Sequence, residues 1–316
     1  MTVVENSIGR RQARRRPRSL ATEVWRKRRI YAFLVPTFVL LLIFGYWPPI
    51  SAFYHAFFDW NGSTRLTYVG LDNFVQMLDD RALKESIKNI AVLEGTRLLI
   101  NLTIPLGVAK LIFGLRHEKV SYFWRLMIVI PLVVPTIVVY LLWQAILDPN
   151  IGLLNAILGG AGLDGLKGNW LGDPRTALFA FILVGFPWVN GTTVLIYLAG
   201  LNNIGDSVLD ACRIDGAGGW RRFWSIEVPL IMSQIKLIVG LNIIYGLQGF
   251  GGQLVLTNGG PGYATLVPGL HMFQEAFIRV RFGYAAALGL AMFLVIFALT
   301  YANSRLIRSS VEFEAD

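Results

Sequence analysis

Two groups of residues in this chain have types and spacings from which chemistry could be built. The first is the run from Asp210 to Pro229, where two aspartates, small residues, glycines and aromatics stand close together. The second is the set of charges that interrupt apolar segments: Glu94, Arg97 and Lys236. Neither has the makings of a catalytic centre. No GxxxxGK[ST] loop occurs, and Gly216, Ala217, Gly218 and Gly219 are followed by no lysine and preceded by no strand, so the chain cannot cradle nucleotide phosphates in the P-loop manner. There is no GxSxG elbow and no paired-carboxylate site, and Asp79 and Asp80 lack the spaced repeats of a diphosphate-metal site. The single cysteine, Cys212, excludes an intrachain disulfide or a Cys-rich metal site. His55, His117 and His271 lie far apart in sequence with no HExxH spacing, so no metal centre is expected. Catalytic residues, metal ligands and cofactors bound by this chain are therefore all expected to be absent. Work that needs energy would have to draw it from another polypeptide or from an ion gradient.

The elements that position these residues are set by composition. The 316 residues are 54% hydrophobic and only 16% charged, with a mean hydropathy of +0.54. A soluble domain of this length needs more charge to cover its surface, so much of this chain faces a solvent other than water. Apolar runs fall at roughly 30–50, 87–113, 126–147, 176–200, 229–250 and 283–306. Each is about the 20 residues that cross a bilayer as a helix, and helices satisfy their backbone groups within the segment. The alternating period of an outer-membrane barrel is absent. The fold expected is an all-α membrane protein with six transmembrane helices.

Charge sets the orientation. The net charge of +9 is concentrated at the start: Arg10, Arg11, Arg14, Arg15, Arg16, Arg18, Arg26, Lys27, Arg28 and Arg29 all precede Ile30. Nothing there interleaves aromatics with basic residues as a nucleic-acid platform would, so the block reads as a positive-inside anchor that also touches anionic lipid. With both termini in the cytoplasm, the inside segments hold 18 basic residues and the outside segments 7; without the N-terminal block the balance is 8 to 7. The first span is too long for a cleaved signal peptide and lacks its small-residue site, so it is expected to remain as an anchor. This divides the chain into a basic cytoplasmic tail (1–29), a transmembrane domain (30–306) with a cytoplasmic loop at 201–228, and a second cytoplasmic tail (307–316).

Within the spans, Glu94 and Arg97 stand three apart on one helical face and can pair. With Lys236, they mark either a polar pathway or helix packing near an interface. Pro36, Pro105, Pro131, Pro135 and Pro187 are expected to kink or locally unwind their helices. In the loop, a short helix over about 206–214 would present Ala211 and Cys212, flanked by Asp210 and Asp215. Gly216 can take a positive φ and end it. A second amphipathic turn then carries Trp220, Phe223, Trp224 and Ile226 before Pro229 opens the next span. Such an element is either a docking lug for a cytoplasmic partner or a surface connector between spans.

The loop resembles the EAA loop of ABC importer permeases, whose pattern is Glu-Ala-Ala, three residues, Gly, nine residues, then Ile-x-Leu-Pro. Asp210, Ala211 and Cys212 take the first three places, Gly216 follows at the matching distance, and Ile226, Val228 and Pro229 complete it. The tetrad Ile214-Asp215-Gly216-Ala217 is similar to the sugar-importer branch, and Leu256-Thr257-Asn258-Gly259-Gly260-Pro261 resembles a segment of maltose-type permeases. Asp210 stands for the usual Glu, Cys212 for Ala, Val228 for Leu, and Gly205 for the proline that often precedes the loop helix. The resemblance covers about residues 30–306.

It implies a type I ABC importer permease fold in the cell membrane. A second homologous permease chain would pair with this one, an ABC ATPase dimer carrying ATP and Mg would bind below, and an extracytoplasmic solute-binding protein would deliver the solute. Asp210, Ala211, Cys212, Asp215, Gly216, Ala217, Ile226 and Pro229 would then form the ATPase-coupling loop in a two-state, rigid-body cycle. The outside segments 51–85, 148–175 and 251–282 would form the platform for the binding protein, with Trp60, Trp170 and Tyr263 as contact aromatics or interfacial anchors. The places that touch sugar in maltose-type permeases match Phe186, Val189, Asn190 and Thr193 in the fourth span and Tyr245, Gly246, Gln248 and Gly249 in the fifth. Trp188, Asn190, Thr193, Tyr245 and Gln248 suit sugar chemistry, and helix packing explains them equally well. The same architecture also serves polyols, glycerophosphodiesters and polyamines. A membrane-embedded lipid-linked transferase lacks support from carboxylate or metal-ligand spacing. A sensor or scaffold would need an appended signalling domain, for which the C-terminal tail leaves no room.

Reporter fusions test the topology. Fusions at residues 70, 160 and 265 are expected to report outside and one at 217 inside; an outside signal at 217 would overturn the orientation.

Overall fold

A computed structural model describes residues 27–307, and these fall into two compact units, one ending at Ser51 and the other beginning at Ala52. The first unit holds most of helix α1 (Arg28–His55), with apolar side chains such as Phe33, Leu42 and Phe44 exposed along it. At 28 residues it is long enough to cross a bilayer.

The second unit opens with a hairpin, β1 (Phe58–Trp60) and β2 (Leu66–Tyr68), antiparallel with Asp59 opposite Thr67. Helix α2 (Asp72–Asp79) is fastened to it by Asn73, whose Nδ2 donates to the carbonyls of Ala56 at 2.8 Å and Phe58 at 3.0 Å. Helix α3 (Arg81–Phe113) follows, capped by Asp80, whose carboxylate accepts from the Leu83 N–H at 3.0 Å. Its 33 residues rise about 50 Å at 1.5 Å each, further than the hydrocarbon core is thick. Pro105 lies inside α3 without ending it.

Helix α3 is the post shared by two clusters of buried side chains. Its lower half packs Leu106, Ala109 and Ile112 against Val194, Tyr197, Leu198 and Leu201 of α8 (Gly191–Asn202) and against Ile231 and Ile238. Its upper half packs Ala82, Ile90 and Leu93 against Phe181, Leu256, Leu266, Val267 and Leu270.

The remaining helices are α4 (Glu118–Val133), α5 (Thr136–Ile146), α6 (Leu153–Gly160), α7 (Ala177–Leu183), α9 (Asp206–Ile214), α10 (Gly219–Leu230), α11 (Met232–Gly246), α12 (Gly251–Leu256), α13 (Pro268–Phe277) and α14 (Phe282–Leu306). Three of the six apolar runs are single long helices (α1, α3 and α14), and the other three are broken. The run at 126–147 turns by 88° between α4 and α5, where Pro131 and Pro135 remove backbone donors. The run at 176–200 is two helices rather than one. Between them Gly185 takes φ +92°, Pro187 follows, and Trp188 takes φ +58°. Pro229 does not open the fifth span: it sits in the last turn of α10, and the chain bends by 65° at Ile231 before α11.

The hairpin seats on the start of α14 at a glycine. A Cβ added to Gly283 would lie 1.9 Å from the Phe58 carbonyl oxygen and 2.9 Å from the Trp60 nitrogen, both backbone atoms that cannot swing away. Gly283→Ala is therefore expected to cost about 1–3 kcal/mol by overpacking, seen as a lower thermal midpoint in detergent. Gly168→Ala, which meets nothing within 4 Å, is expected to leave the midpoint unchanged.

Candidate functional site

The loop between α8 and α10 folds as a helix, a glycine stop and a second helix. Helix α9 ends in a Schellman arrangement: Gly216 takes φ +66°, the Ala217 N–H donates to the Cys212 carbonyl at 2.9 Å, and the Gly216 N–H donates to the Arg213 carbonyl at 3.2 Å. Two orphan carbonyls are thereby satisfied at the turn. Asp210, Ala211, Asp215 and Gly216 are exposed, and Ala217 and Ile226 are half-buried. Cys212 departs from the expected face: it is buried, so of the two small residues only Ala211 is exposed. The exposed Asp210 carboxylate accepts from Arg213 Nη1 at 2.7 Å. Ile214 and Trp220 are the most exposed large apolar side chains of the loop, at 86% and 77%, and Trp224 stands edge-on to Trp220.

Beneath this surface lies an interaction that sequence spacing did not reveal. Glu227 is fully buried, and its Oε1 accepts from Lys110 Nζ at 2.6 Å and from Arg222 Nε at 2.8 Å; Lys110 also meets Oε2. The Lys110 ammonium lies 5.3 Å from the Phe113 ring centre and 5.8 Å from that of Phe223. The one available hint was a glutamate standing between Ile226 and Val228 in an apolar stretch.

Above the loop, between α3, α8 and α11, a cavity of about 240 Å³ is lined by Asn101, Asn190, Thr192, Thr193, Ile196, Ile238, Leu241, Asn242, Tyr245 and Gly246. Four of the predicted places (Asn190, Thr193, Tyr245 and Gly246) meet here. Asn190 lies at the break in the fourth run, where its side chain caps α8 by accepting from the Thr193 N–H at 3.0 Å. Trp188 does not line the cavity; its indole N–H donates to the Ile182 carbonyl at 2.7 Å and so closes the end of α7. Gln248 is exposed and also lies off the lining. Asn101 and Asn242 were not anticipated. Asn101 Nδ2 donates to Asn242 Oδ1 at 2.8 Å, and Asn242 Nδ2 donates to the Ile238 carbonyl at 2.8 Å. Asn242 begins a wider π-type turn, Asn242–Gly246, of the kind often found at functional sites. Glu94 and Arg97 pair at 2.7 Å as expected, and a Cβ on Gly246 would fall 2.2 Å from Glu94 Oε2, which brings α3 and α11 close.

At the other end of α3, Asp80 Oδ2 meets His271 Nε2 at 2.7 Å and the Tyr284 hydroxyl at 2.6 Å. Burial alone would raise the Asp80 carboxyl, but hydrogen bonds from Tyr284, the Leu83 N–H and His271 hold it below the usual range. The buried Glu275 carboxylate accepts from both Arg279 and Arg281, across a turn in which Val280 takes φ +57°. Ligand atoms of Asp80, His271 and Glu275 lie within 4.8 Å of one another, although Asp80 is far in sequence from the other two. The two guanidiniums on Glu275 make this a poor seat for a cation, and the cluster reads as a tie between α3, α13 and α14. Of the three aromatics expected outside, Trp60 stacks on His55, Trp170 donates to Asn155 Oδ1 at 2.9 Å, and Tyr263 is 42% exposed.

Comparison with known proteins places this geometry. Residues 104–310 match the model of the family described as "Binding-protein-dependent transport system inner membrane component". The diacetylchitobiose uptake system permease protein NgcF of Streptomyces coelicolor is 34% identical over 288 residues, covering 87% of this chain and 82% of that one. The probable ABC transporter permease protein YurN of Bacillus subtilis is 30% identical, covering 89% and 97%. The sn-glycerol-3-phosphate transport system permease protein UgpA of Agrobacterium fabrum is 28% identical, covering 90% and 96%. In fold, the chain matches the crystal structure of a bacterial ABC transporter involved in the import of alginate, with a TM-score of 0.79 and 23% identity over 92% of this chain and 100% of that one.

The Gly216 turn yields a direct test. A Cβ there meets nothing within 4 Å, so only the backbone angle opposes substitution. Gly216→Val is expected to cost about 1–2 kcal/mol, read as faster hydrogen exchange across 206–217 with the spans unaffected.

Proposed function

The chain belongs to the family of binding-protein-dependent transport system inner membrane components, and from that membership we propose that it is one of two permease chains of an ABC importer for a neutral carbohydrate. The solute is delivered by a binding protein outside, and ATP is hydrolysed on a separate subunit inside. The observation that carries this reading is the cavity between α3, α8 and α11. Its lining sets amides, hydroxyls and one exposed phenol beside Ile196, Ile238 and Leu241, and none of the described residues that line it is charged. Amides match the hydroxyls of a sugar, and the Tyr245 ring offers a face to its C–H surface. A phosphate or carboxylate would leave its charge uncompensated there. That weighs against the solute named for the UgpA relative, though the NgcF relative's name is that of a disaccharide system.

The rest of the reading follows the chain downward. Six segments cross the membrane with both termini inside, the broken runs each counting as one crossing. The exposed α9–Gly216–α10 element is the docking lug for the ATPase, with Asp210, Ala211, Asp215 and Ile214 on its outer surface. ATP and Mg belong to that partner, because this sequence has no phosphate-cradling loop. Nucleotide and loaded binding protein each favour one of two arrangements, and the permease pair rocks between them.

Reconstitution with the partner permease, the ATPase and the binding protein tests the assignment. Tyr245→Ala is expected to leave the complex assembled and lower uptake roughly tenfold, the effect of about 1.4 kcal/mol of lost contact. Asp210→Lys is expected to insert normally and lose the ATPase on purification. A photoreactive ATP analogue is expected to label only the partner; specific labelling of this chain alone would overturn the assignment.

A further inference from the structure

The buried carboxylate of Glu227 has no part in the cavity and none in the exposed face of the loop, yet it is the most heavily engaged charge at the lower end of α3. Its two cationic partners come from different places. Arg222 belongs to the same helix, α10, five residues earlier, whereas Lys110 stands on α3, 117 residues away in sequence. Glu227 itself is fully buried, and the Lys110 and Arg222 side chains are each only 23% exposed. An ion pair so withdrawn from water is directional and cannot slide as two apolar surfaces can. If either partner is removed, the remaining charge is stranded in a poor solvent.

Around this point the other joints between loop and spans are apolar. Phe223 and Leu209 lie against the lower cluster, and Ile231, fully buried, marks the 65° bend where α10 gives way to α11. Glu227 lies one helical turn before that bend, and its carbonyl accepts from the Ile231 N–H at 3.1 Å. Along α3, Lys110 is nine residues from Asn101, a rise of about 13 Å, and Asn101 lines the cavity. The ion pair therefore joins the second limb of the loop to α3, a helix that runs without a break from the loop to the cavity.

We propose that Glu227 is a positioning residue of the transport cycle: its carboxylate, held by Lys110 and Arg222, is the joint through which movement of the loop is passed to α3 and so to Asn101 at the cavity. This rests on the reading of the loop as the ATPase lug. The chemistry is that of a fixed pivot. Apolar contacts let the loop tilt, while the carboxylate fixes the point about which it tilts, so displacement of α9 and α10 is delivered to α3 and not lost in repacking.

The test uses the full complex in proteoliposomes, with solute uptake and ATP hydrolysis measured on the same preparation. Glu227→Gln keeps the shape and removes the charge, and Lys110→Met removes the distant partner while leaving Arg222 on the carboxylate. Each is expected to reduce the solute delivered per ATP split by at least roughly fivefold, the low end of measured couplings between sites. The double variant is expected to be no worse than either alone, because both remove one interaction. Lys110→Arg, which restores the charge, is expected to recover the ratio. A merely structural role would lower yield or thermal midpoint and leave solute per ATP at the wild-type value, and that result overturns the proposal. Should Glu227→Gln fail to assemble, Lys110→Met alone decides. Failure of the wild-type chain to hold an ATPase would instead sink the importer reading itself.

Discussion

A backbone that crosses hydrocarbon has nowhere to place an unpaired N–H or C=O, and the break in the fourth apolar run of this chain answers to that constraint. Where α7 stops in the middle of an apolar run, the Trp188 indole takes the Ile182 carbonyl; where α8 starts again, the Asn190 amide oxygen takes the Thr193 N–H. Between them Gly185 supplies the left-handed turn. The polar side chains that close the break are thus called for within an apolar run, and one of them, Asn190, also lines the cavity. A polar lining arises where the helix had to be mended.

The same economy organises the long axis of the molecule. Among the described residues helix α3 is the only element that both buried clusters share, so the tie through Asp80 at its start, the cavity at Asn101 and the tie through Lys110 near its end are read off one continuous rod. Apart from α14, its neighbours are short or bent: α4 and α5 meet at 88°, and α10 and α11 at 65°. A rigid post among hinged partners is a sound arrangement for rigid-body motion, since displacement at one end reappears at the other.

How much of this was legible in the sequence depends on whether the signal was local. Helix α9 and its glycine stop were readable because Gly216 falls at the end of a short polar–apolar period, and the structure runs from Asp206 to Ile214 as expected. Glu94 and Arg97 were readable because three residues separate them. Cys212 was assigned to the wrong side, since spacing alone could not say which face of a nine-residue helix meets the core. The broken runs were half-legible: Pro131, Pro135 and Pro187 were expected to kink or unwind their helices, but hydropathy alone did not register that the fourth run divides into two helices around Gly185 and Pro187. The ties from Lys110 to Glu227 and from Asp80 to His271 and Tyr284 join residues 117, 191 and 204 positions apart. Each looked like an isolated charge or ring until the fold closed.

The paired amides at the cavity have a consequence for the proposed passage. Asn101 and Asn242 already bond to each other, so an entering hydroxyl would meet amides that are held in place with part of their hydrogen-bonding capacity spent. Where it took over one of these bonds, the exchange would be nearly even in free energy, because a satisfied donor gives up one partner for a similar one. A wall built this way would neither repel a polyhydroxylated guest nor keep it. In the proposed importer it would act as a turnstile, wet enough to admit and too self-sufficient to trap.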